Sequence, residues 1–168
     1  DAIQGMRCAF LDAVMPFISK LGDGGAIWIA LTLVLMLFRK TRRTGYMLAL
    51  SLVLGLLIGN LTLKPLIARV RPYDANPDFV LLIDRLSDYS FPSGHTLASF
   101  EAAAVLLMQY RAKAVPALVL ALLIAFSRLY LYVHYPSDVL AGALLGVAFA
   151  CIARAAVRRM TARSRIEL

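Results

Sequence analysis

A chain of 168 residues that is 61% hydrophobic, with a mean hydropathy of +0.75, holds far more apolar side chain than the core of one soluble domain needs. That excludes an ordinary soluble globular protein and a disordered one. The formal net charge of +8 invites a nucleic-acid partner, but the arginines sit in short segments between apolar blocks, where membrane topology accounts for them.

Residues 1–21 come first and differ from the rest. Ile3, Met6, Phe10, Val14, Phe17, Ile18 and Leu21 recur at helical spacing, while Gln4, Arg7, Asp12 and Lys20 interrupt any spanning run. The pattern predicts an amphipathic helix lying in the membrane interface, bent or stopped near Pro16; the rival is a sixth, poorly apolar span packed inside the bundle. "LGDGG", residues 21–25, reads as a turn.

Five apolar blocks follow, each a candidate span: Gly24–Phe38, Thr44–Leu63, Thr96–Tyr110 broken only by Glu101, Ala114–Ser127 and Val139–Ala153. Rich in alanine and leucine and without alternation of period two, they suit helices and not barrel strands. Residues 1–168 are therefore expected to form one all-α transmembrane bundle. Most blocks hold only about 15 residues where a bilayer core asks for about 20, so charged residues at their ends must extend the helices. Lys64, Arg69 and Arg128 are thus expected below the membrane surface, where ionisable groups are costly and usually functional.

Threading five spans puts Arg39, Lys40, Arg42, Arg43, Arg111, Lys113, Arg154, Arg158, Arg159, Arg163 and Arg165 on one side, eleven of the 18 basic residues, with Glu167. Asp1, Asp12, Asp23, Asp74, Asp78, Asp84, Asp88 and Asp138 fall on the other. The positive-inside rule makes the arginine-rich side cytoplasmic. Cys8 and Cys151 lie on opposite faces, so no disulfide joins them. Trp28, Tyr130, Tyr132 and Tyr135 read as interface aromatics.

The long non-apolar stretch, Arg71 to Ser93, joins the second and third spans, and polar residues gather beside it at span ends on the outer face. "KPLIARVRP" gives Lys64, Arg71 and Pro72; "SFPSGHT" gives Pro92, Ser93, Gly94 and His95; "SRLYLYVHYPSD" gives Ser127, Arg128, His134 and Asp138. Three cations, two histidines, a carboxylate and a glycine-bearing helix start on one face are what a phosphate site needs. Lys64, Arg71 and Arg128 offset phosphoryl charge. Ser93 can cap the helix or donate its hydroxyl, and Gly94 lets backbone N–H groups approach an oxyanion. Asp138, four residues after His134, can hold one ring nitrogen and free the other.

The ordered set K-x6-RP, PSGH and SR-x5-H-x3-D resembles the three-part signature of the type 2 phosphatidic acid phosphatase superfamily, and no letter is missing. The resemblance implies a metal-independent, cofactor-free phosphatase in which His134 attacks phosphorus to form a phosphohistidine and Asp138 orients it. His95 would protonate the leaving group and then activate water, while Lys64, Arg71, Ser93, Gly94 and Arg128 would bind the phosphoryl oxygens. It implies further a small bacterial integral-membrane enzyme whose partners are the bilayer and a lipid phosphate. The substrates of such enzymes include phosphatidic acid, phosphatidylglycerol phosphate, undecaprenyl and other polyprenyl diphosphates, and lipid A phosphates.

Topology turns the site out of the cytoplasm. An alternative of another class is a catalytically silent membrane scaffold or transport component that retains the fold. Glu101, about 9 Å deeper than His95, must face the bundle interior or a wet cavity, with Asn60 and Ser99 as possible partners. Arg69, Asp74 and Asp88 carry no motif role, and the aspartates read as solvated surface.

Overall fold

The computed structural model describes residues 2–163; Asp1, Arg165 and Glu167 of the charge pattern lie outside them. Among the described residues every regular element is helical. In chain order these are α1 (Ala9–Leu21), α2 (Ala26–Leu37), α3 (Arg42–Leu54), a π-helical segment (Gly55–Leu63), α4 (Lys64–Ile67), α5 (Pro72–Ala75), α6 (Gly94–Tyr110), α7 (Val115–Tyr130) and α8 (Pro136–Arg163). Short 3-10 turns join several of them.

Helices stand at all five predicted span positions. Three continuous stretches, Arg42–Ala75, Gly94–Tyr130 and Pro136–Thr161, are long and apolar enough to cross a membrane, and a fourth is reached if α1 and α2 form one span bent by 40°. The second stretch contains both α6 and α7. They fold back on each other at Arg111, whose φ of 53° reverses the chain, and pack side by side. As the short apolar runs demanded, the helices run on through charged residues: Lys64 opens α4 at 8% exposure and Arg128 lies in the last turn of α7 at 1%.

The chain is an integral membrane protein, and its outer surface shows why. Leu37, Leu61, Leu66, Leu122, Leu144 and Met160 are exposed, as side chains facing lipid are. Inside the bundle apolar burial drives nothing extra, so close backbone packing must hold the helices together. α6 is the centre of that packing, flanked by α3, the π segment, α7 and α8. Two small-residue pairs make room for it, Gly55 and Gly59 on the π segment and Gly142 and Gly146 on α8. A Cβ at Gly142 would stand 2.8 Å from the Ser93 carbonyl oxygen, and one at Gly146 would stand 2.7 Å from that of Leu97. At the arginine-rich end, the Tyr110 hydroxyl donates to Thr44 Oγ1 at 3.0 Å and ties α6 to α3.

Two expectations need correction. α1 runs through Pro16 without stopping, burying Met15 and Ser19 and turning Phe10 and Phe17 outward. Gln4 Nε2 donates to the Leu129 carbonyl at 2.9 Å and the Tyr130 hydroxyl to Asp12 at 2.6 Å, so the N-terminal segment is fastened to the C-terminal end of α7. Trp28 and Tyr130 are not interface aromatics. Both are buried because each indole or phenol finds an internal partner, Trp28 Nε1 donating to Ser99 Oγ at 3.0 Å.

Candidate active site

The C-terminal end of α4, the start of α6 and the link from α7 to α8 meet at one end of the bundle. Backbone bonds fix their relation: the Ser93 N–H donates to the Asp138 carbonyl at 3.2 Å, joining the starts of α6 and α8. After α7 the chain passes through Tyr132 at φ 59°, a left-handed turn that brings His134 back into the bundle.

Arg71, 2% exposed, is held on every side. Its Nε donates to the Asp88 carbonyl at 2.8 Å, Nη1 to the Val133 carbonyl at 2.7 Å, and Nη2 to the Tyr89 carbonyl at 3.1 Å and to Asp88 Oδ1 at 2.5 Å. Lys64 Nζ reaches the other oxygen of the same carboxylate at 2.5 Å. Asp88, expected as solvated surface, is thus a bridge between two site cations. Partial burial alone would push its carboxyl up, but Lys64 and Arg71 outweigh that and hold it well below the usual carboxylate range.

Arg128 is held by one contact, Nη1 to the Ser19 hydroxyl. Its Nε and Nη2 are buried without a hydrogen-bond partner among the described residues. Leaving charged donors unpaired in a buried place is costly, so these two nitrogens stand out among the polar groups of the site. Arg128 acts electrostatically on Lys64, His95 and His134, and Arg71 on Lys64 and His134.

His134 is 4% exposed and its two nitrogens face different groups. Nδ1 lies 3.5 Å from Ser90 Oγ and 3.6 Å from Asp138 Oδ2, while Nε2 lies 3.5 Å from Arg71 Nη1. Burial pushes the imidazole down to about 3; Asp138 opposes the shift, and the charges of Arg128 and Arg71 add to it. The ring is therefore neutral at physiological pH. Asp138 is fully buried and saturated: Oδ2 accepts from Ser90 Oγ at 2.5 Å and from the Tyr135 N–H at 2.9 Å, and Oδ1 accepts from Arg69 Nη1 at 2.6 Å. At 3.6 Å it acts on His134 as a fixed charge, with the Ser90 hydroxyl beside both.

Arg69 was given no role by the motifs, yet it pairs with Asp138, donates to Ser137 Oγ at 2.7 Å and stacks 3.9 Å above the Tyr135 ring. Its place two residues before Arg71 on the same helix end was the one available signal. Ser90 was likewise missed, although it opens "SFPSGHT". Ser93 does not cap α6 through its side chain; its Oγ accepts from the Thr96 hydroxyl at 3.0 Å. Gly94 begins α6, where a Cβ would stand 2.8 Å from Asn60 Oδ1. His95 follows in the first turn.

A cavity of about 620 Å³ adjoins these groups, although Arg71, Arg128 and His134 are not among its lining residues. Lys64, Asp88 and His95 line its polar end, and it continues along α2, α3 and α6 past Leu33, Met36 and Leu52. Its lining is mostly apolar, and it forms a slot bordered by α2, α3 and α6. Glu101 also lines it, 1% exposed, with Oε1 unpartnered. Neither expected partner reaches Glu101: Ser99 is taken by Trp28 and Asn60 lies against Gly94. Gly55 gives the carboxyl its space, since a Cβ there would sit 2.6 Å from Oε1.

The sequence pattern described as the PAP2 superfamily matches residues 44–162. The chain belongs to the PAP2 superfamily. Among PAP2 relatives, an undecaprenyl-diphosphatase of Sulfolobus acidocaldarius is 39% identical over 142 residues, covering 83% of this chain and 68% of that protein. Among solved PAP2 structures, LpxE of Aquifex aeolicus superimposes with a TM-score of 0.81 at 31% identity, covering 90% of both chains. A transmembrane PAP2-type phosphatidylglycerolphosphate phosphatase of Bacillus subtilis superimposes with a TM-score of 0.75 at 29% identity, covering 94% of this chain and 82% of that one. The PAP2 matches include the motif residues Lys64 to Asp138 within their range, and they support a lipid phosphatase embedded in the membrane.

Proposed function

We propose that this PAP2 protein hydrolyses a lipid phosphomonoester or diphosphate through a phosphohistidine, without a metal ion, on the outward face of the cytoplasmic membrane. One observation carries the reading: His134 has Nδ1 on the Ser90 and Asp138 side and Nε2 on the Arg71 side, with the charge of Arg128, two of whose buried nitrogens are unpartnered, also acting on the ring.

The geometry gives each step a group. The phosphoryl oxygens meet Arg128 Nε and Nη2 and, by displacing Asp88, Lys64 and Arg71; Ser93 and the N–H groups at Gly94 add donors. His134 Nε2 then forms the N–P bond as the P–O bond to the lipid breaks, and His95 gives its proton to the departing oxygen. Water attacks the phosphohistidine, His95 takes a proton from it, and His134 leaves neutral. Asp138 stabilises the charge that His134 carries in between. Positioning and charge supply most of the rate in such transfers, and this site is made of little else.

The apolar slot below Lys64 and His95 favours a lipid over a soluble phosphate ester. Undecaprenyl diphosphate and phosphatidylglycerol phosphate, the substrates named for the relatives from Sulfolobus acidocaldarius and Bacillus subtilis, head the panel. Phosphate release from each in detergent with chelator present is the test. Turnover that persists supports the reading; turnover lost with chelator removes the metal-free mechanism, and no turnover on any lipid phosphate returns the silent scaffold. His134→Ala should abolish labelling of the protein by phosphate from substrate, and labelling that survives would move the nucleophile elsewhere.

A further inference from the structure

The turn Gly22–Gly25 between α1 and α2 belongs to none of the three motifs, yet it touches the site. Asp23 Oδ1 lies 2.8 Å from His95 Nε2, with the His95 side chain 17% exposed and that of Asp23 61% exposed. The glycines around Asp23 each remove an obstacle to that contact. Gly24 and Gly25 take φ of 58° and 69°, left-handed conformations that side chains disfavour. A Cβ at Gly22 would stand 2.8 Å from Cδ2 of the His95 ring and 3.1 Å from Ile124 Cγ2. The sequence L-G-D-G-G is thus built to bring one carboxylate against one imidazole.

The other charged groups acting on His95 are Arg128 from α7 and Lys64 from α4, both cationic. Asp23 is the carboxylate in direct contact with the ring. The pair also mirrors the other histidine: His134 turns Nδ1 to its carboxylate, whereas His95 turns Nε2 to its own.

We infer that Asp23 is a positioning residue for His95, accepting its Nε2–H so that the proton on Nδ1 is held for the leaving oxygen despite the two neighbouring cations. The inference rests on the acid role of His95 given above. In the first step the N–P bond to His134 forms, the P–O bond breaks, and the Nδ1 proton of His95 passes to the leaving oxygen. His95 is left neutral, still bonded to Asp23 through Nε2–H. In the second step Nδ1 recovers a proton from the attacking water.

The test compares kcat on a short-chain alkyl phosphate, whose leaving alkoxide needs the proton, with kcat on p-nitrophenyl phosphate, whose leaving group does not, using the full chain in detergent. Asp23→Asn should lose about tenfold on the alkyl phosphate, a fraction of the roughly 10²–10⁴ that the general acid itself contributes, and less than about twofold on the aryl ester. Asp23→Glu should restore most of the loss. Gly22→Ala, which pushes on the ring without touching the carboxylate, should reproduce the same leaving-group dependence. Equal losses on both substrates, or no loss, would overturn the inference. His95→Ala separates the two levels. If it shows the leaving-group dependence and Asp23→Asn does not, Asp23 alone is wrong; if His95→Ala shows none, the acid role of His95 fails first.

Discussion

At the scale of single residues the site combines deep burial with unequal satisfaction. Arg71 is fully engaged by backbone and Asp88, whereas Arg128 keeps two buried nitrogens free, and that difference assigns them different work. Arg128→Lys keeps the charge but loses the fork, so kcat/KM should fall by about 10²–10³, the loss typical for a transition-state donor, while thermal stability in detergent changes little. His134 carries a second consequence. Its pKa of about 3 lies below the ordinary 6.5, so between those values the unfolded chain binds a proton that the folded chain refuses. Stability should then fall as pH drops from about 6.5, and His134→Gln should flatten that slope of Tm against pH. The motif residues were legible because phosphate chemistry restricts them to few side-chain types at fixed spacing. Arg69, Ser90, Asp88 and Asp23 were not, since a loop aspartate or a helix-end arginine has many possible partners and only the folded path of the loop selects one.

At the scale of elements the frame around α6 is set by glycine. Gly142 and Gly146 on α8 face carbonyl oxygens of α6, groups that cannot move aside, whereas Gly59 faces the tip of the Leu97 side chain. Gly146→Ala should therefore lower Tm, by an overpacking cost of about 1–3 kcal/mol that exceeds the gain in helix propensity, and Gly59→Ala should cost less because leucine can change rotamer. Thermal unfolding of both variants in one detergent checks the order. The helices at the five apolar blocks were legible from apolar runs and their charged ends. The glycine pairs were open to reading as well, as spacings of four in "GLLIG" and "GALLG", but which helix they admit is a property of the bundle. Trp28 misled for a related reason: near a span end an indole usually meets the interface, and here Ser99 on a neighbouring helix takes its N–H instead.

At the scale of the whole molecule, the proposed reaction centre adjoins a mostly apolar slot, so in the proposed reaction headgroup and hydrocarbon would be recognised by separate parts of the bundle. Leu33→Trp, which fills the slot far from the charged groups, should raise KM for long-chain lipid phosphates roughly tenfold, about 1.4 kcal/mol of lost chain contact, and leave p-nitrophenyl phosphate turnover unchanged. Glu101 interrupts the slot with a carboxyl. Glu101→Gln keeps its shape and should alter the ranking of lipid substrates more than turnover on the aryl ester; if neither changes, the carboxyl serves packing alone.

The carboxylate that spans Lys64 and Arg71 also bears on how a cycle ends. A phosphate ion freed between such cations would leave slowly, and an enzyme acting on scarce lipid would stall on its own product. In the proposed reaction Asp88, already paired with Lys64 and Arg71, would be a tethered competitor for the same positions and would refill them as the ion departs. Asp88→Asn should make inorganic phosphate a stronger inhibitor and shift the slow step toward product release, visible as a burst of lipid alcohol before steady turnover.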